Sequence, residues 1–215
     1  MLHPKLNQWI HILALCLTLA AGPTYADLYD DLLAAVHAGE LATISELLQR
    51  GMDINTTDPR GNTLLMIAAR DGHQDIVEFL LKNRARTQVR NSVGETALML
   101  AALKGHLPVV NFLHKSGAEI NHAGWNALLY SAFEGHTEVA RYLLANQAEI
   151  NARAPNGATA LMLAARNGHE DVVKLLLAQG AEINLSNEDG ATALNWARAA
   201  RNSDIAELLE AVGAK

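Results

Sequence analysis

The sequence predicts an all-α fold, an α-solenoid of stacked helix-loop-helix repeats joined by short hairpin-like loops. Three observations support this class. A Gly-His pair recurs at intervals of 33, 30 and 33 residues, a helix-capping residue stands nine residues before each of these glycines, and an apolar helical pattern follows each pair. A fixed period of this length is typical of repeat proteins, in which each unit buries its apolar face against its neighbours.

The composition agrees with a helical, folded chain. Half of the 215 residues are hydrophobic and 19% are charged, whereas aromatic residues make up only 5%. The abundance of Ala and Leu favours helices over strands. The formal net charge of −6 argues against a nucleic-acid partner, because affinity for phosphates comes largely from clustered Lys and Arg.

The first 26 residues differ from the rest of the chain. Residues 10–21 are almost wholly apolar, and Thr24-Tyr25-Ala26 places small residues at a cleavage site. This pattern predicts a secretory signal peptide cut after Ala26. An uncleaved anchor is the alternative, but the apolar run is shorter than the roughly 20 residues that cross a bilayer. We therefore expect a periplasmic or secreted protein with no stable membrane insertion after cleavage. The lone cysteine, Cys16, lies in the signal, so the mature chain would hold no disulfide.

The first helix of each repeat is expected to begin at a capping residue and to end at a glycine. The cap's side-chain oxygen accepts a hydrogen bond from a free backbone N–H of the first turn, and glycine adopts the left-handed conformation that ends a helix. Small Ala and Ser residues between them let the neighbouring helix approach closely. The predicted caps are Thr63, Thr96, Asn126, Thr159 and Thr192, with Asp30 one period earlier.

A second helix is expected after each Gly-His pair. Apolar residues there recur at spacings that fill one helical face, as in Ile76, Val77, Leu80 and Leu81. A segment such as Gly-Ala-Glu-Ile-Asn then ends the helix, and a further glycine marks the loop that leads to the next unit. These loop glycines are Gly61, Gly94, Gly124, Gly157 and Gly190.

The repeated motifs resemble a known family. Gly-x-Thr-Ala-Leu-Met-x-Ala-Ala-x-x-Gly-His, Val-Val-x-x-Leu-Leu and Gly-Ala-Glu-Ile-Asn recur in constant register, and together they resemble the ankyrin repeat over residues 27–215. Two departures stand out. The family's usual proline after the capping Thr is Leu or Ala here, and the closing repeat has Arg201-Asn202 where Gly-His would stand.

The predicted organisation is a signal peptide at 1–26 followed by an ankyrin repeat domain at 27–215. The domain divides into about six units, of which the first and last act as caps, as terminal repeats often do. The units are 27–57, 58–90, 91–121, 122–153, 154–186 and 187–215.

The recurring histidines do not predict a metal site. Equivalent side chains in stacked helices lie about 8 to 10 Å apart, whereas zinc ligands lie about 2 Å from the ion. The family resemblance implies instead that these imidazoles hydrogen-bond to the backbone of adjoining loops. They are His73, His106, His136 and His169. The chain also lacks a Gly-x-Ser-x-Gly elbow, a phosphate-binding loop and a cysteine nucleophile, so we expect no enzyme, no metal and no cofactor.

The family resemblance places partner contacts on a concave face formed by the loop tips and the first helices. Large apolar side chains stand at such positions in the middle of the chain, with two arginines beside them, a pattern typical of an interaction hot spot with a polar rim. The predicted partner-binding residues are Arg70, Val93, Leu103, Trp125, Phe133 and Arg166.

The 30-residue interval marks one loop as unusually short. Residues 121–126 lack three residues that the next repeat has between Asn151 and Thr159. The shortening would leave a notch in the row of loops with Trp125 near its floor. Alternatively, Trp125 folds inward to fill the gap, and both possibilities stay open.

Two further aromatic residues are assigned to the core between repeats. Tyr130 and Trp196 occupy the position that Ile67, Leu100 and Leu163 occupy in the other repeats.

The function expected from these patterns is a monomeric, non-enzymatic scaffold that binds another protein through its concave face. One role is support of a periplasmic enzyme, for example in stress defence. The alternatives are an immunity-type protein that neutralises a toxic effector, a metal-binding or enzymatic module that uses the groove, and a passive spacer. Repeat folds host many unrelated functions, so the motifs alone do not choose among these.

Overall fold

The computed structural model describes residues 24–215, which form twelve α-helices and no strands beyond one isolated bridge between Thr57 and Thr63. The predicted all-α fold is therefore confirmed. Most of the predicted signal peptide lies outside the described residues. In chain order the helices are α1 Tyr25–Ala38, α2 Leu41–Gln49, α3 Leu64–Asp71, α4 Gln74–Lys82, α5 Ala97–Leu103, α6 Leu107–Lys115, α7 Ala127–Glu134, α8 Thr137–Ala145, α9 Ala160–Asn167, α10 Glu170–Ala178, α11 Ala193–Ala199 and α12 Ser203–Ala211.

The chain divides into two compact units, Met1–Met52 and Asp53–Lys215. In the described part of the first unit, α1 and α2 pack together through residues such as Leu32 and Ile44, which are both fully buried. The prediction that Asp30 caps this unit's first helix is wrong. Helix α1 begins earlier, because Thr24 accepts a hydrogen bond from the Asp27 N–H at 3.2 Å and its own N–H donates to the Asp27 carboxylate at 2.8 Å.

The second unit consists of five helix pairs, and each first helix is capped as predicted. The cap's side-chain oxygen accepts a hydrogen bond from the N–H three residues on, for example from Met66 to Thr63 at 3.2 Å and from Leu129 to Asn126 at 3.0 Å. Thr96, Thr159 and Thr192 make the same bond. A cap of this kind contributes about 1 kcal/mol to helix stability.

The Gly-His pairs tie successive repeats together. The Nε2 of His136 lies 3.0 Å from the Leu103 carbonyl in the preceding repeat, and because a carbonyl only accepts, Nε2 donates. The ring also lies against Gly105, where a Cβ would come within 2.5 Å of the His136 Nδ1. Gly72, Gly105 and Gly135 therefore each make room for the histidine of the next repeat. The predicted histidine-to-backbone bonds are confirmed for His106, His136 and His169.

The closing repeat keeps this link with different residues. Arg201 takes the left-handed backbone conformation of the missing glycine, with a φ of 62°. Asn202 replaces the histidine, and its Nδ2 donates to the Ala165 and Arg166 carbonyls at 2.8 and 2.9 Å. The departure of Arg201-Asn202 from the repeat pattern therefore preserves the hydrogen bonding.

The first helices of the second unit form a continuous stack. Helices α3, α5, α7, α9 and α11 pack in that order, and each buries a small residue at the fifth position after its cap, namely Ala68, Ala101, Ser131, Ala164 and Ala197. Small side chains permit this close approach. The exposed side of these five helices, together with the loops that precede them, is called the inner-helix face below.

Candidate functional site

The inner-helix face carries two aromatic positions that the sequence assigned to the core. The fourth residue after the cap is buried in three repeats, with Ile67, Leu100 and Leu163 at most 5% exposed. At the same position Tyr130 and Trp196 are only half-buried, so the prediction that they belong to the core is wrong. Their rings are longer than an aliphatic side chain and extend beyond the helix contact to the surface.

Three aromatic rings meet at α7. Trp125, in the loop before the helix, stacks on Tyr130 with ring centroids 4.9 Å apart and an angle of 29° between the planes. Phe133 stands edge-on to Trp125 at 6.0 Å and 88°. These three residues are called the aromatic patch. Phe133 is 37% exposed and the other two are half-buried, so Trp125 neither projects freely nor enters the core between repeats.

A carboxylate lies at the edge of the aromatic patch. The Tyr130 hydroxyl donates to Glu95 Oε1 at 2.8 Å, and the Asn91 side-chain amide donates to Oε2 at 2.8 Å. Burial, followed by the hydrogen bond to Glu95, raises the pKa of Tyr130 far above its usual range. The tyrosine therefore stays protonated and keeps its donor role at physiological pH.

Sequence reasoning did not include Glu95 among the six predicted partner-binding residues, and it missed Tyr130 as a member of this surface. Glu95 stands immediately before the cap of α5, and Trp125 stands immediately before the cap of α7. This shared position in adjacent repeats was a signal that the two side chains would be neighbours on the inner-helix face.

The short loop beside the patch differs from the other loops of the second unit. Each longer loop closes with two backbone hydrogen bonds, as in Asn91 N–H to the Glu95 carbonyl and Gly94 N–H to the Asn91 carbonyl, both at 3.0 Å. Residues 121–126, all within the described chain, make neither bond. The tips of two pairs of long loops are also joined, by Ser92 to the Arg60 carbonyl and by Glu188 to the Asn156 carbonyl. No such backbone bond connects the short loop to its described neighbours, which agrees with the predicted interruption in the row.

A buried histidine within the short loop, His122, joins the loop to the preceding repeat. The side chain of His122 is only 8% exposed, and its Nδ1 accepts a hydrogen bond from the Arg90 guanidinium at 2.8 Å. Burial and the charge of Arg90 together lower the pKa of His122. The neutral imidazole therefore carries its proton on Nε2, which is buried and has no hydrogen-bond partner within the described chain.

The other predicted contact residues lie around the patch or apart from it. Leu103 is half-buried and Val93 is 75% exposed. The Arg70 guanidinium binds the Asp71 carboxylate at 2.9 Å. Arg166 belongs to a second aromatic site, because its Cζ lies 5.3 Å from the centroid of the Trp196 ring.

The described residues also bear on metal binding and on membrane insertion. Between residues 24 and 215, no three His, Cys, Asp or Glu side chains lie close enough together to hold a metal ion. Over the same residues, no helix is both long and apolar enough to span a membrane.

The fold and the site define a helical repeat protein with an exposed aromatic surface on its inner-helix face. The family model for ankyrin repeats matches three times, at residues 32–123, 83–154 and 128–215. The chain belongs to the ankyrin repeat family, whose repeats bind protein partners.

Two solved structures resemble the chain closely. One is described as the predatory endopeptidase Bd0816 from Bdellovibrio bacteriovorus in complex with immunity protein Bd3460. The match has 34% identity and a TM-score of 0.76, and it covers 84% of this chain and 96% of the matched chain. The other is the human ASB11 ankyrin repeat domain, with 28% identity and a TM-score of 0.80 over 86% of this chain and 84% of that domain.

A further relative matches over a short segment. The mouse (Mus musculus) 60 kDa lysophospholipase is 44% identical over 50 residues, which are 23% of this chain and 9% of that protein. The chain therefore spans less than a tenth of this relative, and the match concerns only that segment.

Proposed function

We propose that the protein is an exported immunity-type scaffold, which binds an enzyme of the exported compartment through its inner-helix face and holds it inactive. The observation that carries the proposal is the aromatic patch, exposed beside an interrupted row of loops in a fold that binds proteins. The 34% identical neighbour, an immunity protein in complex with an endopeptidase, supports this choice among scaffold functions.

The patch has the chemistry of a binding hot spot. Tryptophan and tyrosine dominate hot spots because their large rings are rigid and lose little entropy on binding. Phe133 is 37% exposed, so its burial by a partner would remove apolar surface from water and stabilise the complex. The exposed polar residues Lys104 and Glu134 directly follow Leu103 and Phe133 in the chain, and a polar rim is typical of protein interfaces.

Export is the second part of the proposal. The apolar run at residues 10–21 and the small residues up to Ala26 support a cleaved signal. Cleavage after Ala26 would remove Thr24, which caps α1, so the mature helix would begin near Asp27. Cell fractionation and the mass of the mature protein test this part. If the protein is found in the cytoplasm with its first 26 residues still attached, this part of the proposal is wrong.

The binding partner can be tested in the exported fraction of the source cells. The purified protein is added to that fraction and endopeptidase activity is followed. We expect the activity to fall in proportion to the added protein. The Trp125→Ala and Phe133→Glu variants should inhibit much less, whereas Val212→Ser, which changes a 45% exposed valine at the end of α12, serves as the matched control.

The same experiment separates inhibition from enzyme support. A supporting scaffold would bind through the same patch but would maintain or raise the activity of its enzyme, for instance by slowing its thermal inactivation. If the activity and stability of the exported enzymes are unchanged, or if Trp125→Ala acts like the wild type, the proposed function is wrong.

A further inference from the structure

The two aromatic sites on the inner-helix face share one geometry. Tyr130 and Trp196 are each the fourth residue after a cap, in α7 and α11 respectively. In the repeat before Trp196, the seventh residue after the cap is Arg166, and its Cζ lies 5.3 Å from the centroid of the tryptophan ring. The face of an aromatic ring attracts a cation electrostatically, so the chain itself supplies the cation at this site.

The chain supplies no such cation at the aromatic patch. In the repeat before Tyr130, the residue equivalent to Arg166 is Leu103. In the part of the chain that the structure describes, no Arg or Lys lies over the ring of Trp125, Tyr130 or Phe133. The position that holds a guanidinium at the Trp196 site is therefore occupied here by an uncharged side chain.

The charge beside the patch is negative. Glu95 accepts one hydrogen bond on each carboxylate oxygen, from Tyr130 and from Asn91. A carboxylate has about four acceptor positions, so both oxygens can accept again. The charge of Glu95 also acts on Arg70, but the hydrogen bond to Asp71 is the largest cause of the raised pKa of Arg70, and Glu95 is the smallest of the causes. Glu95 forms no ion pair with any described residue.

We propose that the aromatic patch and Glu95 bind an arginine side chain of the partner protein. A guanidinium is planar, so it can stack on an aromatic ring and also direct paired N–H donors at a carboxylate. Lysine offers only a compact charge and would bind more weakly. The interrupted row of loops at residues 121–126 leaves the approach to Trp125 open for a protruding side chain.

This inference rests on the proposed function, because it names the residue type that the patch recognises. Its probe is a phage-displayed library of random peptides, selected on the immobilised protein after depletion on the Trp125→Ala variant. We expect the enriched peptides to share an arginine. Replacing that arginine by glutamine in a synthetic peptide should weaken binding about tenfold or more.

Two substitutions in the protein test the electrostatic part. Glu95→Gln keeps the side-chain length and one acceptor oxygen, removes the charge and replaces the second oxygen by an NH2 donor. We expect about a tenfold loss of peptide affinity. Glu207→Gln removes one charge from an exposed residue on α12 of the closing repeat, and its affinity should stay within about twofold of the wild type.

A third substitution makes the protein occupy its own site. Leu103→Arg places an arginine at the position where Arg70 and Arg166 already occur in other repeats, so the fold should tolerate it. The new guanidinium is expected to lie over Tyr130 and to compete with the peptide. Ala199→Arg puts the same charge at the equivalent position of the closing repeat and should leave peptide affinity unchanged.

The outcomes distinguish this inference from the proposed function. Peptides that require Trp125 but share no basic residue, or that bind Glu95→Gln as well as the wild type, overturn the arginine site while a binding role for the patch survives. If no peptide depends on Trp125, both are overturned. Loss of peptide binding in Glu207→Gln as well as Glu95→Gln would show a general charge effect and would also contradict the inference.

Discussion

The third repeat of the second unit (α7 and α8) and the fifth (α11 and α12) share one backbone arrangement. They differ in whether a cation of the chain covers the aromatic ring on the inner-helix face. In both, a ring at the fourth position after the cap reaches the surface of the inner-helix face. Trp196 is covered by the chain's own Arg166, whereas Tyr130 is joined to Trp125 and Glu95. The same position in the repeat thus carries a ring that is covered by a cation of the chain itself in the fifth repeat, and a ring beside a carboxylate with no such cation in the third.

The two repeats also differ in the side chain that joins each of them to the preceding repeat. His136 packs on Gly105, where an added Cβ would lie 2.5 Å from the ring. In the closing repeat Asn202 takes the place of the histidine, and a Cβ on Gly168 would lie 3.5 Å from its side chain, which is an ordinary contact. Gly105 is therefore required both by its left-handed backbone conformation and by the close contact with the His136 ring, whereas Gly168 is required only by its backbone conformation.

This difference leads to the largest expected effect on stability. Gly105→Ala places a β-carbon at a φ of 74° and against His136. The left-handed conformation costs about 1 kcal/mol and the overlap about 2 kcal/mol more. Gly168→Ala has a similar φ of 81° without the overlap, so it should cost only about 1 kcal/mol. Urea denaturation measures both, and equal losses would contradict the role assigned to His136.

The second prediction concerns the two tryptophans. Trp125→Ala should weaken binding of the inhibited enzyme by about 2 kcal/mol, or roughly 30-fold, as expected for an aromatic hot spot. Trp196→Ala should change that affinity less than twofold, because its ring already has Arg166 as partner. Titration calorimetry on folded variants gives both numbers. A larger loss for Trp196→Ala would place the interface in the closing repeat.

The framework of both repeats could be predicted from the sequence, because caps and glycines act over three or four residues and recur in register. The side chains on the surface could not. Tyr130 was assigned to the core by analogy with Ile67, which ignores the length of its ring. Its hydrogen bond to Glu95 joins residues 35 positions apart, and no local pattern encodes such a contact. The analogy also failed at Asp30, because the Thr24 cap starts α1 six residues earlier.

The third prediction tests whether the link between Glu95 and Tyr130 supports the patch. Tyr130→Phe keeps the stack with Trp125 but removes the hydroxyl that donates to Glu95 at 2.8 Å. We expect a loss of about 1 kcal/mol in the free energy of unfolding, the usual net contribution of one hydrogen bond. Tyr142→Phe, which removes a hydroxyl bound to His114 at 2.9 Å, is a comparison on a second helix away from the patch. An unchanged stability in Tyr130→Phe would mean that Glu95 finds another partner in water.

The smallest expected effect is a pH dependence that comes from His122 in the third repeat, whereas the equivalent residue before the closing repeat, Leu185, does not titrate. Burial and then Arg90 lower the pKa of His122, so the unfolded chain takes up a proton that the folded chain resists. The stabilisation is complete above the ordinary histidine pKa of about 6.5 and is lost as the pH falls from there through the lowered pKa of the folded state. His122→Gln should therefore lose less thermal stability than the wild type between about pH 7.5 and pH 5. An equal loss of thermal stability in the two proteins across this range would show that His122 takes up its proton at the same pH in the folded and unfolded chains, and it would contradict the buried neutral imidazole described above.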